Sequence, residues 1–407
     1  MWPKSAVRPL KKRGNVIRSR ARQALLLLVV GCIGPWLAGC SASATRLDAV
    51  PSGAGAVSFL RIPNARFDGD DGDALKEEIW QSLTREWPKL SNSMLALSGG
   101  QENGAFGAGV LVGWTQRGNR PQFKIVTGTS TGALAAPFAF LGSEYDWALK
   151  KIYTETKPGD VIASKRSLLS AVNNDALMDN TSLAKSINKY LDAKILDRIA
   201  QEYDKGRLLL ISTTNLDTGK LVIWNIGAIA NSGHPKRLDL VRKVLLASAA
   251  IPGMFPPVMI DVMLDQAKHQ EMHVDGGTVS QIFLYPPSLQ LASMLQRDDA
   301  GARPTAYLIR NGRASPEPEK VERKTLAIAG RAIETMIASH GVGDIYRIYT
   351  TTQRDQVEFN LALIGDDFRQ PYPGPFDTAY MNKLFEHGLQ KGRRGYPWQK
   401  VPPGYAR

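Results

Sequence analysis

The residues best placed to do chemistry are the serine and the two glycines of Gly128-Thr129-Ser130-Thr131-Gly132. A short run typical of a strand, residues 122–127, precedes the motif, and an apolar, Ala-rich run typical of a helix follows it. Gly-x-Ser-x-Gly in that setting is typical of a nucleophile elbow, a turn that exposes the serine hydroxyl. Because the turn is strained and its neighbours lie close, Gly128 and Gly132 have no room for side chains. Ser130 is therefore the candidate nucleophile.

A second glycine turn, Ser98-Gly99-Gly100, precedes the elbow by one predicted helix and one predicted strand. A serine that attacks a carbonyl needs donors for the oxyanion, and backbone N–H groups at a helix start supply them without reorganisation. The N–H groups of Gly99, Gly100 and Gln101 would lie just before the predicted helix 105–116. A plain strand-to-helix turn also uses glycines. The position of Ser98-Gly99-Gly100 one strand before the elbow favours an oxyanion hole over that alternative.

The candidate general base is Asp275, because a serine hydroxyl is a poor nucleophile until a partner accepts its proton. Asp275 closes a predicted strand and precedes Gly276 and Gly277, so its carboxylate can approach another loop closely. A turn-forming Asp-Gly is the alternative. The histidines stand in no strand-end motif, and we expect surface or loop positions for them: His234, His269, His273, His340 and His387.

The motifs at 98–100, 128–132 and 275–277 stand in the order that is typical of the patatin-like phospholipases, which the chain resembles over about half its length. Residues 247–258 resemble the segment that this family carries ahead of its catalytic aspartate. The resemblance implies a three-layer α/β/α fold with a mainly parallel central sheet. It also implies a Ser–Asp dyad without histidine and hydrolysis of lipid acyl esters through an acyl-enzyme, with neither metal ion nor organic cofactor.

The oxyanion turn departs from the family pattern Gly-Gly-Gly-x-Arg/Lys-Gly, because Gln101 replaces the third glycine and Asn103 the basic residue. If the third position needs a positive φ, Gln101 costs on the order of 1 kcal/mol or changes the turn. A misaimed oxyanion donor can cost about 10²-fold to 10³-fold in rate. The intact Ser130 and Asp275 favour an active phospholipase A or esterase.

Two alternatives follow from these residues. One is a catalytically impaired patatin-fold lipoprotein that binds lipid or has a structural role in the envelope, which Gln101 favours and Asp275 opposes. The other is a conventional α/β-hydrolase in which His340 or His387 completes a triad with the serine. Alanine at either histidine distinguishes the triad from the dyad.

The N-terminal segment is typical of a secretory signal peptide, with eight cations and no acid before residue 23 and an apolar run to residue 39. It ends in Leu37-Ala38-Gly39-Cys40, which looks like a bacterial lipoprotein box with cleavage before Cys40 and lipid on its sulfur. We expect a lipid-anchored protein of the bacterial cell envelope that faces the periplasm. An uncleaved anchor is the alternative, although the run is shorter than the roughly 20 residues that span a bilayer.

The net charge of the 407-residue chain is +13, and the eight cations of the predicted signal peptide leave +5 for the rest. That remainder has no dense basic and aromatic stripe, which argues against a nucleic-acid partner. The predicted partners are a membrane phospholipid or another acyl-ester lipid as substrate, and the membrane through the anchor. Oligomeric state is not encoded in these motifs.

The predicted organisation has four parts. They are a signal peptide at 1–39, a tether and N-terminal extension at 40–90, a catalytic domain at 91–290, and a C-terminal extension at 291–407. Strands alternate with helices between the elbow and Asp275, which favours a mainly parallel sheet covered on both faces. The C-terminal extension either completes that sheet or caps the acyl site.

Overall fold

The computed structural model describes residues 46–52, 54, 57–69, 72–84, 92–162, 175–292, 303–315 and 320–405. The predicted signal peptide and Cys40 lie outside these residues. Arg46–Arg407 forms one compact unit. Within the described part of the chain, no helix combines the length and the apolar character needed to cross a membrane.

The strands within the described residues belong to one sheet. They are β1 (Arg66–Asp68), β2 (Ser93–Leu97), β3 (Ile125–Thr129), β4 (Leu208–Asn215), β5 (Lys220–Asn225), β6 (Val258–Leu264), β7 (Ala267–Asp275), β8 (Thr305–Arg310) and β9 (Glu358–Leu363). The α-helices are α1 (Gly72–Thr84), α2 (Gly104–Gln116), α3 (Thr131–Leu141), α4 (Asp146–Thr154), α5 (Pro158–Val161), α6 (Thr181–Tyr190), α7 (Ala193–Asp204), α8 (Ile226–Asn231), α9 (Arg237–Ser248), α10 (Thr325–Arg354) and α11 (Thr378–Arg394).

The strand order is β1-β5-β4-β3-β2-β8-β9. Neighbours from β4 to β9 run parallel, whereas β5, β1 and the β6–β7 hairpin are antiparallel, with β7 paired to β4. Every residue of β2, β3 and β4 is buried, as expected for parallel strands covered on both faces. The predicted three-layer α/β/α fold with a mainly parallel sheet is confirmed.

Alternate residues of β2 face two separate hydrophobic cores. Leu95 and Leu97 pack in the core that includes the side chains of α2 and α3. Met94 and Ala96 pack in the other core, together with α1 and Ile345 of α10. Because strand side chains alternate between the two faces of a sheet, the apolar strand β2 contributes side chains to the cores on both faces.

Two helical sequence patterns have different limits in the structure. The helical pattern over residues 182–203 forms two helices, α6 and α7, because the Asp192 side chain accepts a hydrogen bond from the Ile195 N–H at 2.9 Å and starts a new helix. The helical pattern over residues 321–339 corresponds to a helix that begins at Thr325 and continues to Arg354.

The C-terminal extension completes the sheet. β8 pairs with β2 and β9 with β8, both in parallel register. Helix α11 lies tightly on α2, because a Cβ at Gly109 would fall 2.1 Å from the Phe385 carbonyl oxygen and one at Gly388 2.3 Å from the Phe106 carbonyl oxygen. The motif-bearing region and the extension therefore share one sheet and both hydrophobic cores.

Candidate active site

Ser130 occupies the turn between β3 and α3 with φ +55° and ψ −125°. A non-glycine residue in that region is strained, and such strain clusters at functional sites. Its backbone N–H donates to Oγ of Ser248 at 3.0 Å. A Cβ at Gly128 would lie 2.6 Å from the Gly132 carbonyl oxygen, and one at Gly132 2.3 Å from the Leu97 carbonyl oxygen. Both flanking glycines are therefore sterically required.

Asp275 is the last residue of β7, which places it beside the elbow. Its carboxylate accepts a hydrogen bond from the Gly277 N–H at 2.7 Å, and the neighbouring Ser130 hydroxyl lowers its pKa. A Cβ at Gly276 would meet the Ser212 hydroxyl at 2.4 Å, so only glycine fits between β7 and β4. The structure brings together the two residues that the sequence separates by more than a hundred positions.

The electrostatic environment of Asp275 suits a general base. Burial raises the pKa of its carboxyl from the ordinary value to about 7. The Ser130 hydroxyl and the Gly277 N–H lower this pKa, but burial has the larger effect. A base whose pKa lies near neutrality can accept a proton and later return it. Asp275 therefore has the protonation behaviour that proton transfer from Ser130 requires.

Gln101 in the oxyanion turn has a φ of +53°, in the left-handed region that favours glycine. Gly100 has φ +150°, and a Cβ there would lie 1.9 Å from the Asn311 carbonyl oxygen. The expectation that Gly99 is a free donor is wrong, since its N–H donates to the Gln281 carbonyl oxygen at 2.9 Å. The N–H groups of Gly100 and Gln101 have no hydrogen-bond partner within the described residues.

Asn311, which the sequence did not single out, holds the oxyanion turn. Its backbone N–H donates to Oγ of Ser98 at 2.8 Å, and its side-chain amide donates to the Ser98 carbonyl oxygen at 2.9 Å. Its side-chain oxygen accepts from the Gly107 N–H of α2 at 3.2 Å. Asn311 follows β8, outside the region of family resemblance, so only the pairing of β8 with β2 could have indicated it.

The loop after Asp275 is anchored to α10 by Asp344. One oxygen of its carboxylate accepts hydrogen bonds from the backbone N–H of Gln281 at 2.7 Å and from the Ser280 hydroxyl at 3.1 Å. The carbonyl oxygen of Gln281 in turn accepts a hydrogen bond from the Gly99 N–H. The C-terminal extension therefore fixes both loops that flank the nucleophile.

No histidine lines the cavity at Ser130 within the described residues. His273 is fully buried in β7 and pairs with Glu271 at 3.0 Å, so the expectation of a surface or loop position is wrong there. His387 lies 3.7 Å from Asp367. The described part of the chain has no cluster of His, Cys, Asp and Glu suited to a metal ion.

An apolar cavity opens at Ser130. It encloses about 880 Å³ of empty space, counting its open mouth, and Ser130 and Gln101 line one end. Apolar side chains line the remainder, among them Leu134 of α3 and Leu183 and Ile187 of α6. Ligand sites of this size are typically apolar with a few convergent polar groups. The cavity has the character of a slot for an acyl chain.

Glu102 adds an unusual carboxyl beside the oxyanion turn. It is 4% exposed and lines the same cavity. Burial raises the pKa of its carboxyl, a hydrogen bond from Tyr372 lowers it, and the charge of Glu334 raises it. Oε2 of Glu102 has no hydrogen-bond partner among the described residues. The raised pKa reduces the negative charge that Glu102 places near a developing oxyanion.

Comparison with known proteins identifies the motif-bearing region. Residues 95–286 match the family model described as patatin-like phospholipase. The chain is similar to the solved structure of VipD from Legionella pneumophila, with a TM-score of 0.37 and 14% identity over 76% of this chain and 67% of that chain. No curated protein matches the sequence.

Proposed function

We propose that the protein, whose residues 95–286 match the patatin-like phospholipase family model, is a lipid acyl hydrolase of the phospholipase A or esterase type with a Ser130–Asp275 dyad. One observation carries this proposal. The Ser130 hydroxyl lies close enough to the buried Asp275 carboxylate to lower its pKa, and Ser130 lines an apolar cavity. That arrangement combines a nucleophile, a base and a site for an acyl chain.

The reaction begins when Asp275 accepts the proton of Ser130 as Oγ attacks the ester carbonyl carbon. The carbonyl oxygen becomes an oxyanion, and the N–H groups of Gly100 and Gln101 stabilise it together with the positive end of α3. When the intermediate collapses, the ester bond breaks and Asp275 returns its proton to the departing alkoxide. The acyl group remains on Ser130.

Water completes the cycle by the same chemistry. Asp275 accepts a proton from water as the water oxygen attacks the acyl-enzyme carbonyl. The second tetrahedral intermediate expels Ser130, which takes the proton from Asp275, and the fatty acid is released. The dyad returns to its starting protonation state, so no metal ion or organic cofactor enters the reaction.

The test uses a fragment of residues 41–407, which retains the compact unit Arg46–Arg407. Release of fatty acid is measured from p-nitrophenyl acyl esters and from mixed phospholipid vesicles. We expect Ser130→Ala and Asp275→Asn each to reduce kcat by about 10³-fold or more. Ser186→Ala, which alters another serine of the same cavity, and Asp261→Asn on the surface are the matched controls.

Other outcomes decide between the alternatives. Equal activity of the wild type and both dyad variants on every ester would indicate an impaired patatin-fold lipoprotein that binds lipid. Loss of activity in His340→Ala or His387→Ala would instead indicate a triad. We expect both histidine variants to remain active, since neither residue lines the cavity.

We also propose that Cys40 carries the lipid anchor and that the enzyme acts on the cell envelope from the periplasmic side. This proposal rests on the lipoprotein-like box at residues 37–40 and on the basic and apolar segment before it. Labelled palmitate should be incorporated into the full chain expressed in bacteria and not into Cys40→Ala. Incorporation into both proteins would exclude Cys40 as the lipidated residue.

A further inference from the structure

One carboxyl oxygen in the catalytic cavity has no protein partner. It belongs to Glu102, which is 4% exposed and lines the cavity together with Ser130 and Gln101. Its Oε2 atom has no hydrogen-bond partner among the described residues. A buried polar atom without a partner costs free energy, and native proteins ordinarily satisfy such atoms. A ligand in the cavity could supply the missing partner.

Glu102 lies in the oxyanion turn, and both ends of that turn lie against the elbow. A Cβ at Gly99 would fall 3.1 Å from Cβ of Ser130. A Cβ at Gly104 would fall 2.4 Å from Oγ1 of Thr131. Glu102 stands between these two glycines in the chain and lines the cavity with the nucleophile. Its carboxyl is therefore at the end of the cavity where the ester group of a substrate would react.

Other polar side chains that line the cavity bond to the protein itself. Oγ1 of Thr131 and the hydroxyl of Tyr153 form a hydrogen bond at 2.8 Å. The hydroxyls of Thr156 and Ser186 each donate to a backbone carbonyl oxygen, at 2.5 Å and 3.3 Å respectively. Glu102 differs from these four residues, because one of its hydrogen-bonding atoms remains available to a ligand.

The surroundings of Glu102 favour a neutral hydroxyl group as its partner. No Lys or Arg of the described residues lines the cavity, which argues against an anionic group. Burial raises the pKa of the Glu102 carboxyl and so favours its neutral form. A neutral carboxyl both donates and accepts hydrogen bonds, and a hydroxyl does the same. A cationic group would require the ionised carboxylate and would bury its own charge among apolar side chains.

We propose that Glu102 determines substrate specificity by hydrogen bonding to a free hydroxyl group close to the ester carbonyl of the substrate. This inference rests on the proposed ester hydrolase function. The hydroxyl belongs either to the alcohol part of the ester, as in a monoacylglycerol, or to the acyl part, as in a 3-hydroxyacyl ester. An ester without the hydroxyl leaves Oε2 of Glu102 unpaired, and a site built to bind a hydroxyl rejects such an analogue for that reason.

The test compares esters of one acyl chain length as substrates of the 41–407 fragment. The esters are 1-octanoylglycerol, butyl 3-hydroxyoctanoate, butyl octanoate and octanoylcholine. We expect kcat/KM for one of the two hydroxyl esters to exceed kcat/KM for butyl octanoate by about tenfold or more. The preferred ester shows whether the hydroxyl belongs to the alcohol or to the acyl part. Because the esters also differ in intrinsic reactivity, variants of Glu102 decide whether this residue causes the preference.

Glu102→Leu removes the hydrogen-bonding atoms and should reduce the preference for the hydroxyl ester about tenfold. Glu102→Gln should keep the preference within about threefold, because the amide also donates and accepts hydrogen bonds. Glu155→Leu is the matched control, since Glu155 is exposed and does not line the cavity. It should keep the wild-type preference. A preference is a ratio of two rates of one protein, so a smaller folded fraction does not change it.

Calorimetric binding of the same esters to Ser130→Ala separates this inference from the proposed function. Tighter binding of a hydroxyl ester than of butyl octanoate, lost on adding Glu102→Leu, supports the inference even if no ester is hydrolysed. A preference that Glu102→Leu retains, or no preference at all, overturns the inference even if the esterase is active. A preference for octanoylcholine that Glu102→Leu removes would assign a cation to the site and also overturn it.

Discussion

The backbone N–H of Ser130 donates to Oγ of Ser248 at 3.0 Å, which ties the strained elbow to the last residue of α9. Ser248 is fully buried. Two residues further along the chain, the carbonyl oxygen of Ala250 accepts a hydrogen bond from the Asp275 N–H at 2.9 Å. Residues 247–258 resemble the segment that the family carries ahead of its aspartate, and the first residues of this segment contact both Ser130 and Asp275. They hold the nucleophile and the base at one place.

Ser248→Ala should therefore destabilise the elbow. The Ser130 N–H would remain buried without an acceptor, which costs about 1–3 kcal/mol. We expect a lower melting temperature together with a lower kcat and a nearly unchanged KM, because the nucleophile moves while the acyl cavity stays intact. Ser232→Ala, an exposed serine at the end of α8, is the control. Unchanged melting and kcat in Ser248→Ala would contradict this role.

The pKa of Asp275 predicts a specific pH profile of activity. The carboxyl must be ionised to accept the proton of Ser130, and burial raises its pKa to about 7. We expect kcat/KM to rise with pH through about 7 and then to level off. A profile that is already flat from pH 5 upward would show that a different group, or a differently solvated Asp275, limits the reaction.

The free energy of unfolding should fall as pH rises, whereas activity should increase. The folded-state pKa of Asp275 lies above the roughly 3.9 of an unfolded aspartate, so its contribution is most favourable below that value and is lost as pH rises through about 7. Asp275→Asn should therefore be more stable than wild type at pH 8, by on the order of a few kcal/mol, with a smaller difference at pH 5. Denaturant unfolding at the two pH values measures this, and equal differences would contradict it.

Gln101 and Gln356 form a natural matched pair, because both are glutamines with φ near +55° and only Gln101 lines the cavity. Replacing either by glycine relieves left-handed strain, so each change should stabilise the fold by up to about 1 kcal/mol. Only Gln101→Gly should change kcat/KM or chain-length preference. An activity change of equal size in Gln356→Gly would show that strain relief alone alters activity.

Gly100→Ala should abolish activity through a steric clash. Its Cβ would lie 1.9 Å from the Asn311 carbonyl oxygen, so the oxyanion turn must shift and its donors lose their aim. We expect a loss of about 10²-fold or more in kcat. Gly118→Ala also introduces Cβ at a positive φ, of 85°, but meets nothing within 4 Å. It should lose some stability and retain activity, and parallel losses in the two variants would argue against a local effect.

The sequence was sufficient for the parts of the site that depend on local patterns. Glycines that admit no Cβ mark the elbow at Ser130 and the turn after Asp275, and buried apolar runs mark β2, β3 and β4. Long-range contacts left no such pattern. Nothing local indicates that Asn311 reaches Ser98, or that the N–H of Gly99 is taken by Gln281. These pairings arise from strand order, which a single sequence does not contain.

The placement of β8 between β2 and β9 has a practical consequence for dividing this chain into parts. A recombinant product ending near residue 290 would carry every catalytic motif, yet β2 would have one unpaired edge and α2 would lose the helix that covers it. Such edges template aggregation. The stretch that carries the motifs therefore does not fold without the C-terminal extension. It cannot be transferred to another protein as an independent domain.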